Sequence, residues 1–346
     1  LVQDLFRRVI ELSGVKTLHV RNITDVDDKT IREAQKSELS LVEFTAGWTK
    51  RFHEDAKLLN MLDPHLEPSA VQHIPEQIQL IEKLIKNGNA YPSEDGSVYF
   101  SVKSYSNYGK LTRIDQRDLM AGAGETANDA DEYEKNHVCD FVLWKARKPE
   151  DGDNYWDSPW GSGRPGWHLE CSAMGMKYLG ETFDLHAGGV DLCFPHHENE
   201  IAQSEASTGK EFARHWFHNE HLMVEGSKMS KSLGNLYTLE DINERGFSAA
   251  ELRYSLLSGS YRTKINFSFD RMNEARINLK RIASLVQSLG GELPSYEELC
   301  ECAASGSMNL GPFESSWDAL LEDLNAPAAL GELFVAIKPL EKELAE

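Results

Sequence analysis

Lys228-Met229-Ser230-Lys231-Ser232 stand together inside the string EGSKMSKSLGN. Ammonium groups three residues apart on a Gly/Ser-rich loop can close over a polyphosphate and neutralise the charge that builds as pyrophosphate leaves. The plain alternative is a solvated lysine–serine loop. With 346 start positions and equal residue frequencies, such a five-letter string arises by chance roughly once in 10⁴ sequences. A second set joins a thiol, an imidazole and a carboxylate: Cys171, His196 and Glu200. His196 and Glu200 are four apart, so on a helix they share one face. Sulfur, nitrogen and oxygen donors suit zinc, and three protein ligands leave a position open for substrate. The alternative is a solvated helix start with an unrelated buried cysteine. A third set, Gly188-Gly189-Val190-Asp191, follows the strand-like TFDLHA. Paired glycines let a nucleotide approach the backbone, and a carboxylate two residues on can accept from a ribose hydroxyl. Strand–Gly-Gly–Asp is also ordinary turn chemistry.

Something must position these groups. At 346 residues, 40% hydrophobic and 27% charged, the chain has the composition of about two soluble domains. No stretch approaches the ~18 consecutive apolar residues of a membrane span, and the start LVQDLFRRVIELSG lacks the pattern of a signal peptide. Five cysteines (Cys139, Cys171, Cys193, Cys300 and Cys302) are too few and odd in number for a disulfide framework, so a cytoplasmic setting is expected. Thirty-six basic against 56 acidic side chains give −20, which argues against nonspecific nucleic-acid binding by bulk charge.

Leu1, Leu5, Val9 and Leu12 have helical spacing with Gly14 as the stop. TLHVRNIT reads as a strand entering the acidic loop of Asp25, Asp27 and Asp28, and helices follow around 41–62 and 75–87. Residues 91–164 read as an insertion: a hairpin around Asp95-Gly96, a patternless stretch at 121–136 and a loop at 159–166. WHLECSAMGMKYL is helical, TFDLHAGGVDL strand then glycine turn, and FPHHENEIAQSEA helical again. That rhythm predicts a parallel sheet interrupted by the insertion. Past 238 the pattern is helical, over 238–245, 248–258, 269–289 and 312–344, with a linker at 290–312 and no convincing strand. The expected fold is α/β: a Rossmann-like catalytic domain over 1–62 and 165–237, a connective insertion over 63–164, and an all-α bundle over 238–346. Arg262, Lys264, Arg271, Arg276, Lys280 and Arg281 form a basic face on that bundle, either solvated or a dock for an RNA backbone.

KMSKS is the second nucleotide signature of class I aminoacyl-tRNA synthetases. Trp167-His168-Leu169-Glu170-Cys171-Ser172-Ala173-Met174, the run from Phe194 to Gln203 and Val20-Arg21-Asn22-Ile23-Thr24-Asp25 resemble cysteinyl-tRNA synthetases over most of the chain. The resemblance implies that Cys171, His196 and Glu200 bind zinc together with a fourth ligand, a cysteine near the mature N-terminus. No cysteine precedes Cys139, and the other family signature, HIGH, has no counterpart here either, so the sequence reads as a piece of a longer protein. It further implies that Thr24 and Trp167 line the amino-acid pocket, although Trp167 could equally anchor a core. His197 is expected to support the ligands or to be purely structural.

The implied reaction is ATP-dependent activation of L-cysteine to cysteinyl-adenylate and transfer to tRNA(Cys). Lys228 and Lys231 are the catalytic cations, and Gly188, Gly189, Asp191 and Lys231 contact ATP. One Zn2+ per chain and Mg2+ with ATP are the implied cofactors, with no membrane partner and a monomeric assembly. Serine and cysteine differ by one atom, which pocket shape discriminates weakly; zinc prefers a soft thiolate to a hydroxyl. Three rivals stand beside this reading. A ligase joining cysteine to an aminosugar would use the same adenylation. A zinc hydrolase would continue His197-Glu198 into a second histidine, but Ile201 stands there. A non-catalytic zinc-bearing RNA module would need neither KMSKS nor the glycine turn.

Overall fold

The computed structural model describes residues 1–113, 140–229, 233–290 and 292–344. The chain forms two compact units, each assembled from discontinuous segments: Leu18–Phe52 with Pro64–His218, and Leu1–Thr17 with His53–Asp63 and Asn219–Glu346. The first is called here the site unit and the second the helical unit. No helix among the described residues is long and apolar enough to cross a membrane.

In the site unit, β1 (Ala90–Pro92), β2 (Val98–Phe100), β3 (Phe141–Ala146) and β4 (Gly163–Pro165) form an antiparallel sheet in that order. The expected hairpin is β1–β2, with Ala90 opposite Phe100. The loop expected at 159–166 instead supplies β4, whose Pro165 pairs with Trp144; a proline at the edge of a sheet removes no needed donor. The sheet belongs to a core of Phe100, Phe141, Leu143, Trp144 and Leu169, with Phe100 and Phe141 stacked at 4.9 Å. Helix α4 (Ile74–Lys86) adds Ile81 and Leu84, both without solvent exposure.

The strand expected at 17–24 is reduced to two parallel bridges, Val20 with Leu66 and Ile23 with Ser69. Arg21 N–H donates to Leu66 O (3.0 Å), Ile23 N–H to Pro68 O (2.8 Å) and Ala70 N–H to Ile23 O (3.1 Å). The acidic loop then turns into α2 (Asp28–Lys36), where Asp27 accepts from Thr30 N–H and Thr30 Oγ1 accepts from Asp27 N–H, a reciprocal cap. Helices α3 (Leu41–Leu58), α5 (Trp167–Leu179) and α6 (His196–Thr208) follow the expected segments. β5 (Phe183–Gly189) pairs with β6 (Ala213–Asn219).

Helix α6 is buried from His196 through Ser204 although most of those residues are polar. Buried polar groups need partners; Glu198 and Asn199 have them, while Glu200 Oε2 and Gln203 Oε1 have none among the described residues. Glu198 accepts from Gly109 N–H (2.8 Å) and from Thr112 N–H and Oγ1–H (both 2.9 Å). Asn199 Oδ1 accepts from Tyr108 O–H (2.5 Å), and Glu205 is bridged by Lys110 (2.6 Å). Burial pushes the Glu198 carboxyl up, against the lowering of those donors.

In the helical unit, α1 (Val2–Leu12) ends as expected at Gly14, which takes φ +84°. β7 (Leu222–Val224) pairs with β8 (Ser227–Lys228) antiparallel, and the turn between them puts Glu225 (φ 48°) and Gly226 (φ 76°) in the left-handed region, the twist a two-residue hairpin needs. Contrary to the expectation of no strand past 238, β9 (Ile265–Phe267) runs parallel to β7; three residues are too few to show alternation. Helices α7 (Leu239–Glu244), α8 (Ala249–Leu257) and α9 (Phe269–Leu289) match expectation, and Val224, Ile242, Phe247, Phe267 and Met272 share a core. The linker expected at 290–312 contains helix α10 (Tyr296–Ala304). Its signal was present in the sequence, since Ser295 and Glu298 form a capping box. Helices α11 (Glu314–Leu321) and α12 (Ala326–Glu343) complete the unit. The patternless stretch at 121–136 lies outside the described residues.

Candidate functional site

Three elements of the site unit bring Cys171, His196 and Glu200 together. Cys171 sits in the second turn of α5, while His196 and Glu200 share one face of α6. One ligand atom from each lies within 4.8 Å of the others, with His196 Nε2 3.5 Å from Glu200 Oε2. His196 Nδ1 meets His168 Nδ1 at 2.9 Å, so Nε2 is the nitrogen turned to the carboxylate. Trp167 stacks on the His196 ring at 4.2 Å and 27°. That contact makes it a wall of the cluster.

The third element is β5, which carries His186. Its Nε2 lies 2.9 Å from Glu200 Oε1 and fixes one carboxylate oxygen. The other, Oε2, is buried with no hydrogen-bond partner among the described residues. A lone buried carboxylate oxygen is costly unless something cationic meets it. It faces a histidine nitrogen and a cysteine sulfur, so the residues present fit a zinc ion. Burial, opposed by Glu200 and aided by the neighbouring histidines, takes the His196 imidazole down to about 3. His196 is therefore neutral at pH 7, the form that offers a lone pair to a metal. Burial opposes the charge on Glu200, yet His186 and His196 hold it below the usual carboxylate range. Burial and the charges of Glu200 and Glu170 push the Cys171 thiol well up, and a bound cation would reverse that balance.

His197 also reaches Glu200, its Nε2 standing 3.8 Å from Oε2, and its ring enters a second cluster. Its Nδ1 lies 2.8 Å from His218 Nε2, and with His186 and Glu200 it forms another group of metal-ligand type. Trp216 of β6 stacks on His186 at 4.9 Å. Burial, with His186 and His218 beside it, takes His197 down to about 2. Gly188 is explained here: a Cβ at that position would meet His197 Cε1 at 2.7 Å. Gly189 is less constrained, because its Cβ would meet only the Asp191 carboxylate, which is exposed just past the end of β5 and free to swing aside.

Thr24 is tied to the cluster indirectly. Asn22 Nδ2 donates to Thr24 Oγ1 (3.2 Å) and to Cys171 Sγ (3.3 Å). Asn22, His168, His186, Trp216 and His218 had no assigned role in the sequence. The second shared-face signal, Glu200 three residues after His197, was readable; the strand histidines were not.

Lys228 ends β8 in the helical unit, fully on the surface, with its carbonyl accepting from Asn235 Nδ2 (3.1 Å). Lys231 lies outside the described residues. Three of the six side chains of the basic face are paired: Arg262 with Asp323 (2.5 Å), Arg276 with Glu251 (2.7 Å) and Arg281 with Glu341 (2.7 Å).

A family profile described as "tRNA synthetases class I (C) catalytic domain" matches residues 1–277. The chain belongs to the class I tRNA synthetases, in the cysteine–tRNA ligase family. The cysteine–tRNA ligase of Opitutus terrae is 52% identical over 342 residues, 97% of this chain and 71% of that protein. Those of Brachyspira hyodysenteriae and Chlamydia muridarum are 46% and 45% identical, over 97% and 98% of this chain and 70% of each relative. The fold is that of Mycobacterium tuberculosis methionyl-tRNA synthetase in complex with methionyl-adenylate, with TM-score 0.64 at 14% identity over 99% of this chain and 78% of that one.

Proposed function

We propose that this synthetase activates L-cysteine with Mg2+-ATP and passes it to tRNA(Cys), with one zinc ion per chain selecting the thiol. The observation that carries the reading is the convergence of Cys171, His196 and Glu200, with Glu200 Oε2 buried and without a hydrogen-bond partner among the described residues. The cysteine–tRNA ligases it resembles at 45–52% identity support the amino acid and the tRNA; nothing in the structure favours the aminosugar ligase.

Zinc, when bound, supplies a soft Lewis acid that prefers the substrate thiolate to a hydroxyl. Cys171 Sγ, His196 Nε2 and Glu200 Oε2 are its proposed ligands. His168 and His186 hold two of them in orientation, as partners beyond the ligands do in metal centres, and Trp167 and Thr24 wall the pocket. The cysteine carboxylate attacks the α-phosphorus of ATP; a new C–O–P linkage forms and the bond to the β-phosphate oxygen breaks, releasing Mg2+-pyrophosphate. Lys228 and Lys231 neutralise the leaving charge, while Gly188, Gly189 and Asp191 hold the adenosine. A terminal ribose hydroxyl of the tRNA then attacks the acyl carbon and AMP leaves. No protein nucleophile takes part, so catalysis rests on positioning and electrostatics.

Cysteine-dependent ATP–pyrophosphate exchange, followed by charging of tRNA(Cys), tests the activity. Exchange is expected with cysteine and not with serine, and removal of zinc is expected to abolish that preference. Equal rejection of serine by the metal-free protein would overturn the role given to zinc.

A further inference from the structure

Asn22 belongs to none of the sets given a role, yet its single amide nitrogen touches two residues that have one. The bridges on either side fix its backbone: Arg21 and Ile23 both donate to the 66–68 segment, and Arg21 is also paired with Glu67 (2.6 Å). Side chains alternate along extended backbone, so Asn22 leaves the opposite side from these neighbours and reaches α5, 149 positions along the chain. There Nδ2 stands 3.3 Å from Cys171 Sγ and 3.2 Å from Thr24 Oγ1. An amide nitrogen has two N–H donors and no acceptor. Both contacts are therefore donations, one to sulfur and one to the hydroxyl oxygen. The reversed amide would lay an oxygen lone pair on a sulfur whose ligating form is an anion, so only this orientation suits a metal thiolate.

We propose that Asn22 is a positioning residue of the amino-acid site. It stabilises Cys171 as a thiolate ligand by donating one N–H to Sγ, and it fills a lone pair of Thr24 with the other. Thr24, with that oxygen position occupied, keeps its hydroxyl hydrogen to offer to an acceptor in the pocket. A substrate sulfur held as thiolate is such an acceptor. One carboxamide thereby couples the metal ligand to the pocket wall. This inference rests on the zinc reading given above.

The test compares the wild-type protein with Asn22→Asp, Asn22→Ala and Thr24→Val, each checked for a native circular dichroism spectrum. Three quantities are read: zinc per chain by elemental analysis, the rate of zinc transfer to a chelator, and the sulfur-to-cobalt charge-transfer band of the Co2+-substituted protein. Partners beyond the first ligands typically change metal affinity 10–100-fold. Asn22→Asp and Asn22→Ala are expected to release zinc about 10-fold faster and to move the cobalt band to longer wavelength, because an N–H donor lowers the energy of sulfur lone pairs. Thr24→Val keeps the Asn22–Cys171 contact and is expected to leave the band in place. Wild-type protein that holds zinc, beside Asn22 variants with unchanged release and band, would overturn the role of Asn22 alone. Wild-type protein that binds no zinc would overturn the zinc reading and this inference together.

Discussion

The charged groups of the site unit and those of the helical unit obey different rules. Around α6 the ionisable groups are interior: His168, Glu170, His196, His197, Glu198 and Glu200 are all under 5% exposed, and Glu198 and Glu200 are held by hydrogen bonds. Around α9 they are superficial: the side chains of Arg281 and Glu341 are 37% and 35% exposed. An interior charge is costly unless satisfied, so losing one partner is expensive. A surface pair is screened and flexible and contributes little. The same residue types therefore specify a reactive centre in one place and decorate a helix in the other.

The largest expected effect is Glu200→Gln. It keeps the shape and the His186 contact but removes the charge opposite the metal. Zinc affinity should fall at least about 100-fold, beyond the range of partners that do not touch the metal, and cysteine-dependent pyrophosphate exchange should fall with it. Retention of zinc at wild-type affinity would erase the contrast drawn for the site unit.

Next comes Lys145→Met. Lys145 of β3 has a side chain 4% exposed and bonds Asp28 at 2.8 Å; Arg164 contacts the same carboxylate and also Asp151 at 3.3 Å. Because the Asp28 side chain is itself 36% exposed and keeps Arg164, the loss of Lys145 should cost about 2 kcal/mol in urea unfolding, between the interior and surface limits. A cost near zero would place this pair with the surface ones.

Asp4 sharpens the comparison, because it is an interior charge within the helical unit. It accepts from Leu62 N–H (2.8 Å) and pairs with Arg253 (2.5 Å) and Arg8 (3.1 Å). Burial works against its charge, but the Leu62 N–H and the two guanidiniums hold the carboxyl below its ordinary value. A depressed folded pKa gives stability that is present above the unfolded value of about 3.9 and lost as pH falls through the folded one. Asp4→Asn should cost about 2 kcal/mol at pH 7 and flatten the acid limb of the stability profile. An unchanged acid limb would show that other carboxylates dominate it.

The smallest expected effect is Arg281→Ala, at about 0.5 kcal/mol or less and decreasing with salt. A loss above about 2 kcal/mol would mean that this exposed pair behaves as an interior one.

Much of the architecture was legible in the residue pattern. Helices α5, α6 and α9 were placed by periodicity and by glycine or proline boundaries. What escaped was short: Gly163–Pro165 looked like loop and Ile265–Phe267 fell in the gap between the helical segments 248–258 and 269–289, since three residues carry no period. The proposed ligand set Cys171, His196 and Glu200 was readable as a candidate because two of its members are one helical turn apart and because sulfur, imidazole and carboxylate together suit a metal; the structure brings the three within 4.8 Å. Its supports were not. His186 and His218 lie on β5 and β6, and Asn22 in a bridge, each brought in by pairing across long stretches of chain.

The sequence by itself determined which chemistries were on offer: lysines spaced for a polyphosphate, donors matched to a thiophilic ion, glycines where a side chain would not fit. Local spacing suffices for that, because one turn of helix or one residue of strand sets direction. Only the tertiary structure decided who stands beside whom, giving Glu200 a strand histidine on one oxygen and, among the described residues, no hydrogen-bond partner on the other, and giving Cys171 the amide of Asn22. Such neighbours are chosen by the packing of buried polar groups, each of which must find a partner wherever along the chain it lies.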